Sequence, residues 1–388
     1  MTDCVLRGYS QRLCADEPNG PRGSAFWPPG AICNLTQCLP DMHFLELWRR
    51  AVTVLRAVDP DPVIVGPSTD AFDWAYITEF LLYARDHGVL PDVINWHELT
   101  PGSNGSEIPS HHRRLRAWLG ENGINQSLPF AHNELVPSTA SLIPAQTLGA
   151  IAGAMDAGAI GCVHSNWGPA PPCNHTGAAN ALLTCTDQQP SFAPRAVYHV
   201  FAAYLLRRIS LFRIARHHVD SEFVLLRTML TNRSIRRSRY ANTSGVSIPA
   251  QRHCDDCTAL CSWDAEAHTV QLLVGYYNGW KCNPATGKCV ALTAPPSRML
   301  RVELAGIDSG KLRSFRATGQ APRAAAAAAG GGGGGVRVRI IMIPDTGTAP
   351  LASPLPIYEG VMPVASGGTL AVELNASVNA VFTIQIEM

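Results

Sequence analysis

The sequence predicts an α/β fold in its first half and a β-sandwich in its second, on three observations. From about residue 41 to 208, amphipathic helical patterns alternate with short, fully apolar runs, as in a parallel sheet covered on its faces. Beyond about residue 215 no long helical period recurs, and β-rich runs follow one another between turn residues. The chain has 388 residues, 46% of them apolar, which is ample for two buried cores and excludes disorder over most of its length. The expected division is 1–214 for the α/β part and 215–388 for the sandwich.

The segment Asp41–Val58 sets Phe44, Leu47, Trp48, Val52, Leu55 and Val58 on one helical face, with Asp41 as N-cap, and Pro60 and Pro62 end it. The run Val63–Val65 is a short strand closed by Gly66-Pro67. A helix near Phe72–Asp86 leads to the strand Val93–Trp96, and a helix over about Ser110–Leu119 leads to Leu128–Ala131. A helix over about Ala145–Ala157 leads to Ile160–His164, and Arg195–Arg208 is the last long helix. Sandwich strands are expected at Phe223–Leu226, Val270–Tyr277, Met299–Leu304, Val336–Ile343, Thr369–Leu374 and Val381–Ile386. The Ala324–Ala329 and Gly330–Gly335 runs make 321–335 a disordered surface insertion among them.

Charged residues are 16% of the chain, and 31 basic against 30 acidic side chains leave a formal charge of +1. That balance lacks the basic excess on which phosphate attraction rests, so nucleic acid is not an expected partner. The longest weakly polar stretch, Thr147–Val163, carries Asp156 and four glycines and is too short to span a bilayer. Seven Asn-x-Ser/Thr sequons begin at Asn34, Asn104, Asn125, Asn174, Asn232, Asn242 and Asn375. With twelve cysteines, they point to the secretory pathway, as a secreted protein or one of a lysosomal or vacuolar lumen, with disulfide bonds. Met1–Ser10 nevertheless has no apolar signal-peptide core, so the expectation is that the signal peptide is missing from this chain. Cys254, Cys257 and Cys261, with Cys282 and Cys289, have zinc-like spacing, but beside so many sequons they read as disulfide partners. His111-His112 and His217-His218 have no third ligand at a metal spacing and read as surface residues, so no metal is expected.

Each strand of the α/β half ends in polar or aromatic residues. The ends are Gly66-Pro67-Ser68, Asn95-Trp96-His97-Glu98, His132-Asn133-Glu134 and His164-Ser165-Asn166-Trp167. Ligands of parallel α/β folds bind at the carboxyl ends of strands, so four such ends on one rim describe a pocket. Two carboxylates stand out, Glu17 and Glu134, 117 positions apart, or three βα units of 39 residues. Cleaving a glycosidic bond with retention needs two carboxylates about 5–5.5 Å apart, one proton donor and one nucleophile, and no metal or cofactor. The plainer alternatives are a loop glutamate beside Pro18 for Glu17 and a capping or loop hydrogen bond for Glu134.

Several ordered segments carry a family resemblance. Glu17-Pro18-Asn19-Gly20, Phe26-Trp27-Pro28, Phe44-Leu45-Glu46-Leu47-Trp48, and Val58-Asp59-Pro60 through Ile64-Val65-Gly66-Pro67-Ser68 resemble the middle of a glycoside hydrolase family 39 catalytic domain. That family contains β-xylosidases and α-L-iduronidases. Leu128-Pro129-Phe130 to Glu134 resembles its strand carrying the nucleophilic glutamate, and Leu370–Glu387 looks like the last strands of its accompanying β-sandwich. The resemblance implies a partial (β/α)8 TIM barrel, about the last five βα units, acting on an oligosaccharide or glycoside. Glu17 would be the general acid/base and Glu134 the nucleophile. Asp16, Trp96, His97, His132, Asn133 and Trp167 would contact the sugar, with Trp167 closing the site.

Two departures accompany the resemblance. Asp16 stands where the family pattern has an asparagine whose amide would contact the sugar 2-hydroxyl. Only sixteen residues precede Glu17, where the family barrel needs three βα units, and five strands cannot close an eight-stranded barrel. A truncated chain is therefore expected. The alternatives to a retaining, β-xylosidase-like hydrolase are a non-catalytic carbohydrate-binding or structural glycoprotein that keeps the rim, and a fragment of such an enzyme.

Overall fold

A computed structural model describes residues 44–59, 61–69, 71–99, 105–137, 140–164, 182–186, 189–205, 210–212, 215–218, 224–229, 257–264, 269–277, 280–282, 289–291, 297–305, 335–347, 349–365 and 368–387. The chain divides into two compact units, 1–138 with 153–165, and 139–152 with 166–388.

The first unit alternates helix and strand: α1 (Phe44–Val58), β1 (Val65–Thr69), α2 (Trp74–Asp86), β2 (Val93–Trp96), α3 (Ile108–Glu121), β3 (Phe130–Leu135), α4 (Pro144–Asp156) and β4 (Gly161–His164). The division between the units falls within α4. All three strand pairings are parallel, in the order β1-β2-β3-β4. Alternation along each strand sorts the residues. Ile64, Ile94, Trp96 and Phe130 join a core with Leu45, Trp48 and Val52 of α1, Ile77, Phe80 and Leu81 of α2, and Leu115 and Leu119 of α3. Val65, Val93 and Ala131 form a separate cluster on the opposite face.

The local chemistry of these elements is legible. Asp73 caps α2 by accepting from the Tyr76 N–H at 3.1 Å. Gly88 and Gly123, at φ 69° and 68°, follow the ends of α2 and α3 in a conformation that costs glycine nothing. Trp48 packs edge-on against Phe80, donates its indole N–H to Val89 O at 2.9 Å, and covers Gly66, where a Cβ would overlap its ring. The expected face of α1 is too broad: Leu47 and Val58 lie off the Leu45–Trp48–Val52 stripe and are 54% and 80% exposed. The Asp41 cap lies outside the described residues. Strand β1 runs through Gly66-Pro67 instead of ending there, and β3 runs on to Leu135.

The second unit contains β5 (Leu183–Thr186), β6 (Gln189–Pro194), α5 (Ala196–Leu205), β7 (Ser210–Phe212), β8 (Ala215–His218) and β9 (Val224–Met229). It continues with β10 (Cys257–Asp264), β11 (Thr269–Tyr276), β12 (Trp280–Cys282), β13 (Cys289–Ala291) and β14 (Ser297–Ala305). The last strands are β15 (Gly335–Ile343), β16 (Leu355–Pro363), β17 (Leu370–Ser377) and β18 (Val381–Glu387). A six-stranded sheet, β16-β15-β18-β11-β10-β7, and a four-stranded sheet, β17-β14-β9-β8, share one core. Val270, Leu272 and Val274 come from one sheet and Leu300, Val302 and Leu304 from the other, alternate residues on each strand. All six expected sandwich runs fall on strands. Edge strand β16 was not expected, because its exposed sequence lacks the apolar alternation that marks a half-buried strand. Most of 321–335 lies outside the described residues.

Candidate active site

The carboxyl ends of β1, β2 and β3 converge on a buried polar hub. Ser68 follows the cis Gly66-Pro67 bond, is fully buried and adopts φ 59°. Its N–H donates to Asn95 Oδ1 at 3.0 Å, and its hydroxyl lies 3.0 Å from the same oxygen. Ser68 Oγ also receives the side-chain amides of Asn95 at 2.8 Å and Asn133 at 3.1 Å. One hydroxyl thus ties together three adjacent strands.

Beside this hub stands Glu134, half-buried, with its Oε2 3.7 Å from His97 Nδ1. Strict alternation would put Glu134 on the helix side with His132. The β3–β4 register shifts between His132 and Leu135, where three steps on β3 match two on β4. That bulge lets consecutive side chains, Asn133 and Glu134, both reach neighbours on the face opposite the helices. Two backbone bonds hold β1, β2 and β3 together at this height, His97 N–H to Thr69 O at 2.6 Å and Glu98 N–H to Glu134 O at 2.9 Å.

The helix side carries a second polar layer. Trp96 is fully buried among Phe72, His112, Phe130 and His132, and its indole N–H donates to Glu98 Oε1 at 2.7 Å. His111, stacked on Phe72, donates from Nδ1 to the same oxygen at 2.9 Å. Burial alone would raise the Glu98 carboxyl, but the His111 hydrogen bond, the His111 and His132 charges and the Trp96 N–H outweigh it and hold it below its ordinary value. His112 Nδ1 faces Ala157 O at 3.0 Å and must donate to it, since a carbonyl only accepts. Its Nε2 is then the acceptor for His132 Nε2–H at 3.0 Å. Burial pushes His112 down to about 3, helped by the His132 and Arg116 charges, and burial also lowers His132 against the pull of Glu98.

Of the expected site residues, the structure brings together His97, Asn133 and Glu134, and it sets Trp96 and His132 in the buried layer on the other side of the sheet. Asn133 and Glu134 meet Ser68 and His97 on one face, while Trp96 and His132 pack on the helix side. Asp16, Glu17 and Trp167 lie outside the described residues. The reading of His111-His112 as surface residues is corrected: His112 is buried and His111 is engaged with Glu98. The signal was present, because Ile108, His112, Leu115 and Leu119 recur at helical spacing and form the buried stripe of α3. Among the described residues no cluster of three metal-ligating side chains occurs, and no helix is long and apolar enough to cross a membrane.

No protein-family model matches the sequence, and a search of curated proteins finds no match. Among solved structures the chain is similar to N2152 from Neocallimastix frontalis, at 17% identity and TM-score 0.56, over 89% of this chain and 66% of that one. It is similar to the GH39 enzyme from Xanthomonas axonopodis pv. citri at 13% identity and TM-score 0.54, over 95% and 67%. It is also similar to a monomeric beta-xylosidase from Caulobacter crescentus CB15 at 14% identity and TM-score 0.52, over 95% and 68%. The chain spans about two thirds of the length of these structures. What they share with it is the fold.

Proposed function

We propose that this chain is a retaining, β-xylosidase-like glycoside hydrolase of family 39 type, with about the last five βα units of a (β/α)8 barrel. The observation that carries the proposal is Glu134, a half-buried carboxylate turned by a bulge toward His97 at the carboxyl ends of a parallel sheet. The GH39 and beta-xylosidase structures of the same fold support it. Glu134 attacks the anomeric carbon while Glu17 protonates the departing oxygen. Glu17 then takes a proton from water, which attacks the glycosyl-enzyme and frees Glu134. His97 and the Ser68-bound Asn133 flank the nucleophile, and Asp16 and Trp167 contact the sugar.

The proposal extends to the compartment, a secretory-pathway lumen, with glycans on the sequons and disulfides in the β-rich half. Cys257 is disulfide-bonded, whereas the buried thiol of Cys261 and that of Cys162 stand outside any disulfide. Cys261 is thus a correction to the disulfide set expected from the sequence.

An activated fluoroxyloside with a dinitrophenyl leaving group tests the proposal. The expected result is a single glycosyl adduct on the peptide containing Glu134, and its loss in Glu134→Ala. Glu17→Ala should still cleave dinitrophenyl xylosides, fail on poor leaving groups, and recover with azide, giving the retained configuration. Xyloside binding without an adduct from any activated glycoside would leave the binder reading.

A further inference from the structure

We infer that Ser68 is a positioning residue, whose buried hydroxyl holds Asn133 and, through it, the end of β3 that carries Glu134. The inference deepens the hydrolase reading and rests on it for its catalytic consequence. Three features point to Ser68. Its φ of 59° is one that glycine adopts freely and serine rarely does. A non-glycine residue held there persists because something else requires it. The residue is fully buried, and its hydroxyl is the meeting point of three strands, within hydrogen-bond distance of Asn95 Oδ1, Asn95 Nδ2 and Asn133 Nδ2.

Asn133 immediately precedes Glu134 inside the β3 bulge, where the ladder to β4 is interrupted. A bulged strand has lost some of its own ladder restraint, so a side-chain tether takes on the work of orienting it. Asn95, itself buried on β2, accepts from the Ser68 N–H and from the Ser68 hydroxyl at the same Oδ1, and so orients that hydroxyl. The order of dependence runs from Asn95 to Ser68 to Asn133, and ends at the carboxylate beside His97.

Two substitutions separate the backbone from the hydroxyl. Ser68→Gly removes the hydroxyl, leaving the Asn95 and Asn133 amides without their acceptor, but it suits the left-handed backbone, so it should recover part of that loss and melt moderately below the wild type. Ser68→Ala removes the same hydroxyl and keeps the unfavourable backbone, so it should melt lower. In full-length protein with labelled asparagine, the Asn133 side-chain amide should exchange slowly with solvent, and at least about tenfold faster in both variants. Adduct formation on Glu134 by the activated fluoroxyloside should slow by about tenfold or more in both, including the more stable Ser68→Gly. An Asn133 amide unchanged in shift and exchange in both variants would overturn the inference. So would adduct formation at the wild-type rate in Ser68→Gly. If wild-type protein forms no adduct at all, the hydrolase reading fails, and the Asn133 amide still decides whether Ser68 holds it.

Discussion

His112 Nε2 and His132 Nε2 lie 3.0 Å apart between α3 and β3, in a layer that water does not reach, so only one hydrogen sits between them. Burial lowers both rings, His112 to about 3. An unfolded histidine titrates near 6.5. The unfolded chain therefore binds protons between about pH 6.5 and 3 that the folded chain refuses. For His112, stability is unaffected above about pH 6.5 and falls as pH drops toward 3, at no more than about 1.4 kcal/mol per pH unit. Denaturant midpoints followed from pH 8 to 4 should fall steadily below pH 6.5. A flat profile would contradict a buried His112 that resists protonation.

Glu98 gives a prediction by substitution. Its Oε1 accepts from both Trp96 and His111. Glu98→Gln keeps an acceptor oxygen but loses the charge, and should lower stability by about 1–2 kcal/mol. Glu98→Leu leaves two donors unpaired beside the core and should cost about 3 kcal/mol or more. Equal melting temperatures for the two variants would show that neither hydrogen bond matters to the fold.

Gly66 is confined by the Trp48 ring. Gly66→Ala forces that ring away from Phe80 and should destabilise the first unit by about 1–3 kcal/mol, as overpacking of a filled core does. Pairing it with Trp48→Phe, which removes the overlapping ring, should recover part of the loss. Additive effects of the two changes would sink this account.

Thiol chemistry separates Cys162 and Cys261 from exposed cysteines. Cys162 is only partly covered as a residue, but its thiol is enclosed, and burial pushes it up to about 11. Little more than about one thiol in a thousand is then ionised at pH 8. Native protein should alkylate slowly at Cys162 and Cys261, and rapidly at both once denatured. Fast native labelling at Cys162 would place it in contact with solvent.

Ion pairs on the outer face of the six-stranded sheet should matter little. Arg337 reaches Glu359 at 2.5 Å and Glu387 at 3.8 Å, with all three side chains about half exposed. Arg337→Ala should change stability by less than about 1 kcal/mol, and high salt should erase the difference.

Period made the fold legible. Five helices and the strands at Val93–Trp96 and Val381–Glu387 follow from apolar spacing alone. The ends of β1 and β3 were not legible, because Gly66-Pro67 reads as a terminator and Asn133-Glu134 as a loop, whereas pairing with neighbouring strands carries both elements through. In the site, Glu134, His97 and Asn133 were visible as polar residues where apolar strands stop. The same strand ends contain Ser68, Asn95 and Glu98, but the sequence assigns them no individual role and reads His112 as a surface residue, since a buried polar residue declares itself only through partners distant in sequence, such as the 65 positions between Ser68 and Asn133. Edge strand β16 escaped for the opposite reason: with nothing covering it, its sequence carries no pattern of burial.

The bulge in β3 bears on how such a chain can change over generations. Plain alternation gives a sheet face one of any two neighbouring side chains, and the extra residue between His132 and Leu135 gives it both Asn133 and Glu134. Losing a single codon in this stretch would leave room for one of the pair, whichever residue was lost. The length of β3 is thus inherited under as much constraint as its composition. Gains and losses of residues that drift freely through neighbouring loops should be purged from this strand in every lineage that keeps both side chains on this face.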